Sequence, residues 1–86
     1  MSRIAVYAGS FDPITTGHMD LVRRASGLFD SVILAIGNNP SKQYLLPTQV
    51  RLDVLNRCVN DLSNVEVDVF NGLLIDYCRH RGAQFI

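Results

Sequence analysis

The organisation of the chain follows from one segment, Tyr7-Ala8-Gly9-Ser10-Phe11-Asp12-Pro13-Ile14-Thr15-Thr16-Gly17-His18. The apolar run Ile4–Tyr7 that leads into it is typical of a buried strand, and the amphipathic run that begins at His18 is typical of a helix. Gly9 and Gly17 carry no Cβ, so the backbone between these elements can approach a ligand closely. Free N–H groups and the positive end of the helix dipole favour an anion where the helix begins. The stretch therefore predicts a phosphate site, although it matches neither G-x-x-x-x-G-K-[ST] nor G-x-G-x-x-G.

Strands and helices alternate along the whole chain. Hydrophobic patterning predicts strands over Ile4–Tyr7, Val32–Ile36, Val65–Phe70 and Ala83–Ile86. It predicts helices from Gly17 to about Phe29, from Pro47 to about Leu62 and from about Leu73 to Arg81. The inward stripe of the second helix is expected to consist of Val50, Val54, Leu55, Cys58, Val59 and Leu62. This order indicates one α/β domain over residues 1–86, a Rossmann-like, doubly wound parallel sheet with helices on both faces.

Four candidate site residues follow predicted strands. Ser10 and His18 follow the first strand, Lys42 follows the second, and Leu74 follows the third. Ligands of such sheets bind beyond the carboxyl ends of the strands, where the strand order reverses. We therefore expect all four residues at the same end of the sheet. The alternation of valine with acidic residues in Val65–Phe70 further indicates an edge strand with one wet face.

Composition argues against several classes of protein. Eight basic and eight acidic residues give a formal net charge of zero, whereas proteins that bind nucleic acid or a membrane surface normally carry a basic excess. No run of about 18 apolar residues predicts a membrane span, and no signal peptide is expected. Cys58 and Cys78 lie in predicted helices without metal-ligand spacing, so we expect reduced, buried thiols. These observations together indicate a cytoplasmic protein.

The pattern Tyr7-x-Gly9-Ser10-Phe11-Asp12-Pro13-x-Thr15-x-Gly17-His18 resembles the T/H-x-G-H signature of the nucleotidylyltransferase superfamily. Within it, the chain is most similar to bacterial phosphopantetheine adenylyltransferases. Further matching segments are Asn39-Pro40-Ser41-Lys42, Asn64-Val65-Glu66-Val67 and Gly72-Leu73-Leu74, whereas Ala8 departs from the usual proline. The chain corresponds to about the first half of such an enzyme. The resemblance thus implies a nucleotidylyltransferase fold truncated after the fourth strand, without the family's Arg-Gly-x-Arg segment and Ser-Ser-rich nucleotide loop.

The resemblance implies transfer of AMP from ATP to 4′-phosphopantetheine, giving 3′-dephospho-coenzyme A and pyrophosphate in coenzyme A biosynthesis. Mg²⁺ would be bound through the ATP phosphates, since the sequence has no carboxylate cluster to hold it. The attacking phosphate is already an anion, so the reaction needs positioning and hydrogen-bond donors rather than a general base. The resemblance assigns His18 as the transition-state stabiliser. Ser10, the Phe11 backbone amide and His18 would bind the nucleotide phosphates.

Lys42 and Leu74 each have two interpretations, a role in the site and an ordinary structural role. The resemblance implies that Lys42 is catalytic and binds substrate as a point charge over the phosphates, together with Ser10. Taken alone, Lys42 is an ordinary solvated loop lysine. Leu74 is by default core or pocket wall, and the resemblance implies substrate binding through its backbone. Asp12, in an Asp-Pro turn, is expected to organise the loop rather than to act in catalysis.

Two alternatives stay open from the sequence. A related transferase with another acceptor would keep the fold, as in cytidylyl- or nicotinate-mononucleotide-type enzymes. Alternatively, the 86-residue chain is a catalytically inert fragment that binds nucleotide or phosphate. The resemblance also implies a homo-oligomer, specifically a homohexamer.

Overall fold

The alternation of apolar runs and amphipathic runs produces three strands and three helices in the computed structural model, which describes residues 2–86. In chain order they are β1 (Ile4–Gly9), α1 (Thr16–Leu28), β2 (Ser31–Gly37), α2 (Thr48–Cys58), β3 (Val65–Phe70) and α3 (Leu74–Arg81). The strands form one parallel sheet in the order β1-β2-β3. Ile4 lies opposite Ser31 and Val32 lies opposite Val65, so the carboxyl ends of all three strands meet at one end of the sheet.

The central strand explains why the sheet is covered on both faces. Val32–Ile36 in β2 are each at most 1% exposed, as expected of a parallel strand with helices above and below it. On one face, Val22 of α1 and Leu55 of α2 pack with Leu34. On the other, Cys78 of α3 packs with Ile33. The predicted doubly wound α/β sheet is thus confirmed.

The acidic face of the edge strand β3 is partly exposed to solvent, as predicted, and it also faces α3. Val65, Val67 and Val69 pack against the core formed with α1 and α2. Glu66 and Asp68 point to the α3 side, where Arg81 pairs with both carboxylates. The Asp68 carboxylate also accepts a 2.7 Å hydrogen bond from the Tyr77 hydroxyl. The acidic residues of the alternation therefore attach α3 to the sheet.

The predicted fourth strand is present only as a parallel bridge between Phe85 and Ala5. The Val6 N–H donates to the Phe85 carbonyl at 2.9 Å, and the Gln84 N–H donates to the Ile4 carbonyl at 3.1 Å. Since Ala5 also pairs with Val32, Phe85 lies on the side of β1 that faces away from β2. The prediction of a strand over Ala83–Ile86 was wrong in extent but right in position, and the strand order reverses at β1.

The helix boundaries and one buried stripe differ from the sequence prediction. Helix α2 ends at Cys58 rather than near Leu62, because the following residues form turns in which the Leu62 N–H donates to the Val59 carbonyl. Val50 was wrongly placed in the inward stripe: it is 41% exposed, and its neighbour Arg51 is buried instead. Gly82 ends α3 in the left-handed region, at φ 70°, where glycine is favoured.

In residues 2–86, every helix is too short or too polar to cross a membrane.

Candidate functional site

A cleft of about 600 Å³ opens beyond the carboxyl ends of the three strands. Its walls come from the end of β1, the loop after β2 and the end of β3. The lining residues are Ala8, Gly9, Ser10, Gly37, Asn38, Asn39, Pro40, Lys42, Tyr44, Phe70 and Gly72. The structure therefore brings Ser10 and Lys42 together in one cleft, as their positions after neighbouring strands predict.

The loop that carries Lys42 is ordered by its own side chains. The Asn39 side-chain oxygen accepts hydrogen bonds from the Ser41 N–H at 3.0 Å and from the Ser41 hydroxyl at 2.7 Å. The Tyr44 hydroxyl accepts from the Asn39 N–H at 3.0 Å and donates to the Gly37 carbonyl at 3.2 Å. The exposed Lys42 ammonium lies 5.7 Å from the centre of the Tyr44 ring. These contacts direct the Lys42 side chain along the cleft wall that Tyr44 forms.

His18 closes the first turn of α1 through a reciprocal pair of hydrogen bonds. The His18 N–H donates to the Thr15 hydroxyl at 3.2 Å, and the Thr15 N–H donates to His18 Nδ1 at 3.0 Å. A ring nitrogen that accepts a hydrogen bond carries no proton, so the neutral imidazole that makes this contact is protonated on Nε2. His18 is thus oriented with an Nε2–H donor available to a ligand. The charged form would instead lose the contact to Thr15.

His18 lies beside the cleft rather than among its lining residues. Its ring is 5.2 Å from the Phe11 ring and 6.1 Å from the Tyr7 ring, in edge-to-face arrangements. Phe11 is only 3% exposed, and its φ of 47° turns the chain between Ser10 and Asp12. The Phe11 side chain therefore belongs to the core. Its contribution to the site would come from the backbone amide, which the resemblance implies binds the nucleotide phosphates.

Leu74 stands apart from the other predicted site residues. It lies in the first turn of α3, is half-buried, and packs against the cluster formed by Val6, Ile33, Ala35 and Cys78. It does not line the cleft, although Gly72 does. The Leu74 side chain is thus a core residue, which was the plainer of the two alternatives, and a substrate contact through its backbone stays a prediction.

Comparison with known proteins relates this arrangement to a family. The model of the cytidylyltransferase-like family matches residues 6–86. This chain belongs to the cytidylyltransferase-like family.

Relatives of this cytidylyltransferase-like chain include enzymes named phosphopantetheine adenylyltransferase. The chain is 51% identical over 80 residues to the one from Synechocystis sp., across 93% of this chain and 50% of that protein. It is 46% identical over 86 residues to the one from Desulfatibacillum aliphaticivorans, across 100% of this chain and 49% of that protein. The chain thus spans about half the length of the curated relatives it matches.

A solved structure with a similar fold is the NadR protein in complex with NAD and AMP-PNP. It superposes on this cytidylyltransferase-like chain with a TM-score of 0.69 and 30% sequence identity, over 85% of this chain and 21% of that one. A second NadR structure, in complex with NR, gives a TM-score of 0.69 and 32% identity. The fold inferred from the sequence, a nucleotidylyltransferase-type α/β sheet, is confirmed by these matches and by the observed topology.

Three further residues shape the site of this cytidylyltransferase-like domain. The Asp12 carboxylate accepts hydrogen bonds from the Leu45 N–H at 2.5 Å and the Leu46 N–H at 2.7 Å, which confirms its expected role as a loop organiser. Tyr44 and Arg51 were not identified from the sequence. Arg51 lies on the inward face of α2, where a charged residue is unusual, and this was the available signal. The sequence prediction placed Val50 on that face instead.

The donors in the cleft suit an anion better than a free metal ion. Side chains that line it offer hydroxyl, amide and ammonium groups but no carboxylate. Among residues 2–86, no group of three or more His, Cys, Asp or Glu side chains could hold a metal ion. Hard divalent cations prefer oxygen ligands, often carboxylates and phosphates. The observed donor set therefore fits Mg²⁺ only as an ion carried by a bound phosphate ligand.

Proposed function

We propose that this chain provides the phosphate-handling part of a phosphopantetheine adenylyltransferase. The reaction transfers AMP from ATP to 4′-phosphopantetheine and yields 3′-dephospho-coenzyme A and pyrophosphate, in coenzyme A biosynthesis. The observation that carries the proposal is that Ser10 and Lys42 line one cleft beyond the carboxyl ends of the strands, with His18 beside that cleft in the first turn of α1. Identities of 46–51% to relatives of that name, over 93–100% of this chain, supply the choice of acceptor.

The proposed chemistry requires positioning more than proton transfer. The phosphate of 4′-phosphopantetheine is an anionic nucleophile, so no residue needs to remove a proton from it. Negative charge must instead be held close together while the bond from the α-phosphorus to the leaving pyrophosphate breaks. Donors oriented before the reaction stabilise such charge without reorganising. In this mechanism His18 donates from Nε2 to a phosphoryl oxygen.

Ser10 and Lys42 complete the phosphate cradle in this proposal. Ser10 lies at the end of β1, where it lines the cleft, and its hydroxyl can donate to a phosphate oxygen. The Phe11 amide follows it in the same turn. Lys42 lies across the cleft on the β2 loop, so its ammonium can reach phosphate groups of both substrates as a mobile point charge. Leu74 would contact the pantetheine arm through its backbone.

We include Mg²⁺ in the proposal as an ion bound through the ATP phosphates. It would neutralise part of the triphosphate charge. The protein's own contribution remains the orientation of the phosphates by Ser10, Lys42 and His18.

The likeness to NadR favours one second candidate, a transferase of the same fold with a nucleotide-type acceptor. An assay of pyrophosphate release from ATP, run in the presence of Mg²⁺ with each acceptor in turn, separates the two candidate functions. We expect release with 4′-phosphopantetheine and none above background with nicotinamide mononucleotide. The reverse preference would contradict the proposed acceptor. ATP binding without pyrophosphate release in the presence of either acceptor would identify the chain as a binding fragment instead.

A homo-oligomer, specifically the homohexamer implied by the family resemblance, and a cytoplasmic location are part of the same proposal. Several large apolar side chains are exposed on the single chain, among them Leu28 at 65%, Leu73 at 67% and Ile75 at 54%, which favours burial of further surface by association. Sedimentation velocity tests this directly. A sedimenting mass of six chains supports the hexamer, and a monomer at working concentrations contradicts it.

A further inference from the structure

Arg51 is a buried cation without an acidic partner. It is 1% exposed, and among residues 2–86 no other charged residue is buried. Within the same residues, no carboxylate forms an ion pair with it. Burial of a charge is unfavourable unless hydrogen bonds and a counter-charge compensate for it. The contacts of Arg51 therefore call for a functional explanation.

The guanidinium of Arg51 joins the two loops that form the cleft. Its Nη1 donates to the Ser10 carbonyl at 2.8 Å, and its Nε donates to the Leu46 carbonyl at 3.1 Å. Its Nη2 donates to the Thr48 hydroxyl at 3.1 Å. The guanidinium carbon also lies 4.1 Å from the centre of the Tyr44 ring. Ser10 is on the turn after β1, whereas Tyr44 and Leu46 are on the loop after β2.

These contacts place the charge directly behind the cleft wall. Ser10 and Tyr44 both line the cleft, and Arg51 contacts both from the protein side. The Asp12 carboxylate, on this turn, accepts hydrogen bonds from two backbone N–H groups and forms no ion pair with Arg51. Lys42, also against the Tyr44 ring, adds a second positive charge on the solvent side. A charge behind a low-dielectric wall acts over a longer distance than one in water.

We propose that Arg51 is a positioning residue for phosphate binding. Through the Ser10 carbonyl it holds the turn in the conformation that presents the Ser10 hydroxyl and the Phe11 amide to an anion. Its own charge is compensated when a di- or triphosphate occupies the cleft. This inference rests on the proposed function only in taking the cleft as the phosphate site, and it holds for any acceptor.

Binding of inorganic pyrophosphate to the full chain, measured by calorimetry, tests the proposal. Arg51→Met is expected to weaken binding about tenfold or more, the fold-change that one charge-assisted contact is worth. It should also reduce the slope of log Kd against log salt, because salt then screens one fewer positive charge near the site. Arg51→Lys keeps the charge and should retain the wild-type slope while binding less tightly. Arg57→Met, an exposed position on the same helix, is the control and should bind within about twofold of wild type.

The salt slope separates this role from a purely structural one. A merely destabilised fold would lower affinity in Arg51→Met and Arg51→Lys alike and leave both slopes at the wild-type value, which would overturn the proposal. A folded Arg51→Met chain that binds pyrophosphate as wild type does would also overturn it. If Arg51→Met does not fold, the wild-type Nε–H resonance of Arg51 decides. We expect it to shift on pyrophosphate addition, and an Arg51 signal that stays in place while Ser10 signals move would overturn the proposal.

The same experiment distinguishes this inference from the proposed function. A wild-type chain that binds pyrophosphate in an Arg51-dependent way but transfers no adenylyl group supports the role of Arg51 and contradicts the enzymatic activity of the chain. Adenylyl transfer with unchanged pyrophosphate binding in folded Arg51→Met supports the activity and overturns the role of Arg51. A wild-type chain that binds no pyrophosphate overturns both.

Discussion

His18 Nδ1 accepts a hydrogen bond from the backbone N–H of Thr15 at 3.0 Å, while the His18 backbone N–H donates to the Thr15 hydroxyl. The same imidazole therefore closes the first turn of a helix through Nδ1, which leaves Nε2 outside this contact. For the neutral ring, we expect ¹⁵N NMR to show the proton on Nε2 and none on Nδ1. His80, exposed near the end of α3, serves as the internal reference. A neutral His18 ring protonated on Nδ1 and unprotonated on Nε2 would contradict the proposed donor.

Removal of the His18 donor should slow adenylyl transfer far more than it destabilises the chain. In His18→Ala, loss of a donor aimed at developing charge is expected to cost about 2.7–4 kcal/mol of transition-state stabilisation, roughly 10²–10³ in kcat. Loss of the capping contact should lower the free energy of unfolding by only about 0.5–2 kcal/mol. Pyrophosphate release and urea unfolding measure the two effects. Near-normal turnover in His18→Ala, judged against His80→Ala, would rule out the catalytic role.

Lys42 should contribute to ATP affinity through its charge. Lys42→Met is expected to weaken ATP binding by about 1.5–3 kcal/mol, the range for a hydrogen bond to a charged group. Lys42→Arg should recover part of this loss, because charge is restored with a different geometry. Isothermal calorimetry provides the affinities, and Arg24→Met on the exposed side of α1 is the matched control. Equal affinities for Lys42→Met and wild type would identify Lys42 as a solvated loop lysine.

Asp12 should act on stability rather than on chemistry. Asp12→Ala removes the acceptor of two backbone N–H groups in the loop before α2 and is expected to lower the free energy of unfolding by about 1.5–3 kcal/mol. Asp53→Ala, which changes an exposed helical carboxylate, should alter it by no more than about 0.5 kcal/mol. Chemical denaturation compares the two. If Asp12→Ala kept full stability and lost only turnover, Asp12 would be a site residue and its assignment as a loop organiser would be wrong.

Alkaline pH should destabilise the attachment of α3 to the sheet. Burial, together with the adjacent Asp68 carboxylate, raises the pKa of Tyr77 to about 12, from an ordinary value of 10.0. Since the unfolded chain releases this proton first, the stabilisation is complete below about pH 10 and is lost as pH rises towards 12. We therefore expect the urea midpoint of wild type to fall between pH 9.5 and 11.5 more steeply than that of Tyr77→Phe. Parallel slopes for the two proteins would contradict the role of this hydroxyl.

Local sequence patterns were sufficient for the elements that bury continuous apolar runs. Val32–Ile36 was predicted as a strand from its continuous apolar run, and Gly82 as a helix end from the glycine itself. Both signals depend on only a few neighbouring residues. The extent of the fourth strand could not be predicted. Its backbone pairs with β1 only through Phe85, and strand length depends on partners that are distant in the sequence.

The candidate site was predicted unevenly for the same reason. Ser10, Lys42 and His18 follow strands, so parallel topology alone brings them to one end of the sheet. Arg51 was missed because its role depends on contacts with Ser10, forty-one positions earlier, and a helical pattern does not show which loop a side chain will reach. Leu74 was assigned to substrate from the resemblance, yet its side chain packs in the core, which its apolar character alone would have favoured.

Three hydrogen bonds join the turn after β1 to the segment that runs into α2. Asp12 accepts two of them from backbone N–H groups, and Arg51 donates the third to the Ser10 carbonyl. These bonds couple the conformation of one segment to that of the other. Substitutions in one segment should therefore be non-additive with substitutions in the other. The β3 end of the cleft lies outside this unit, so substitutions there should combine additively with substitutions in either segment.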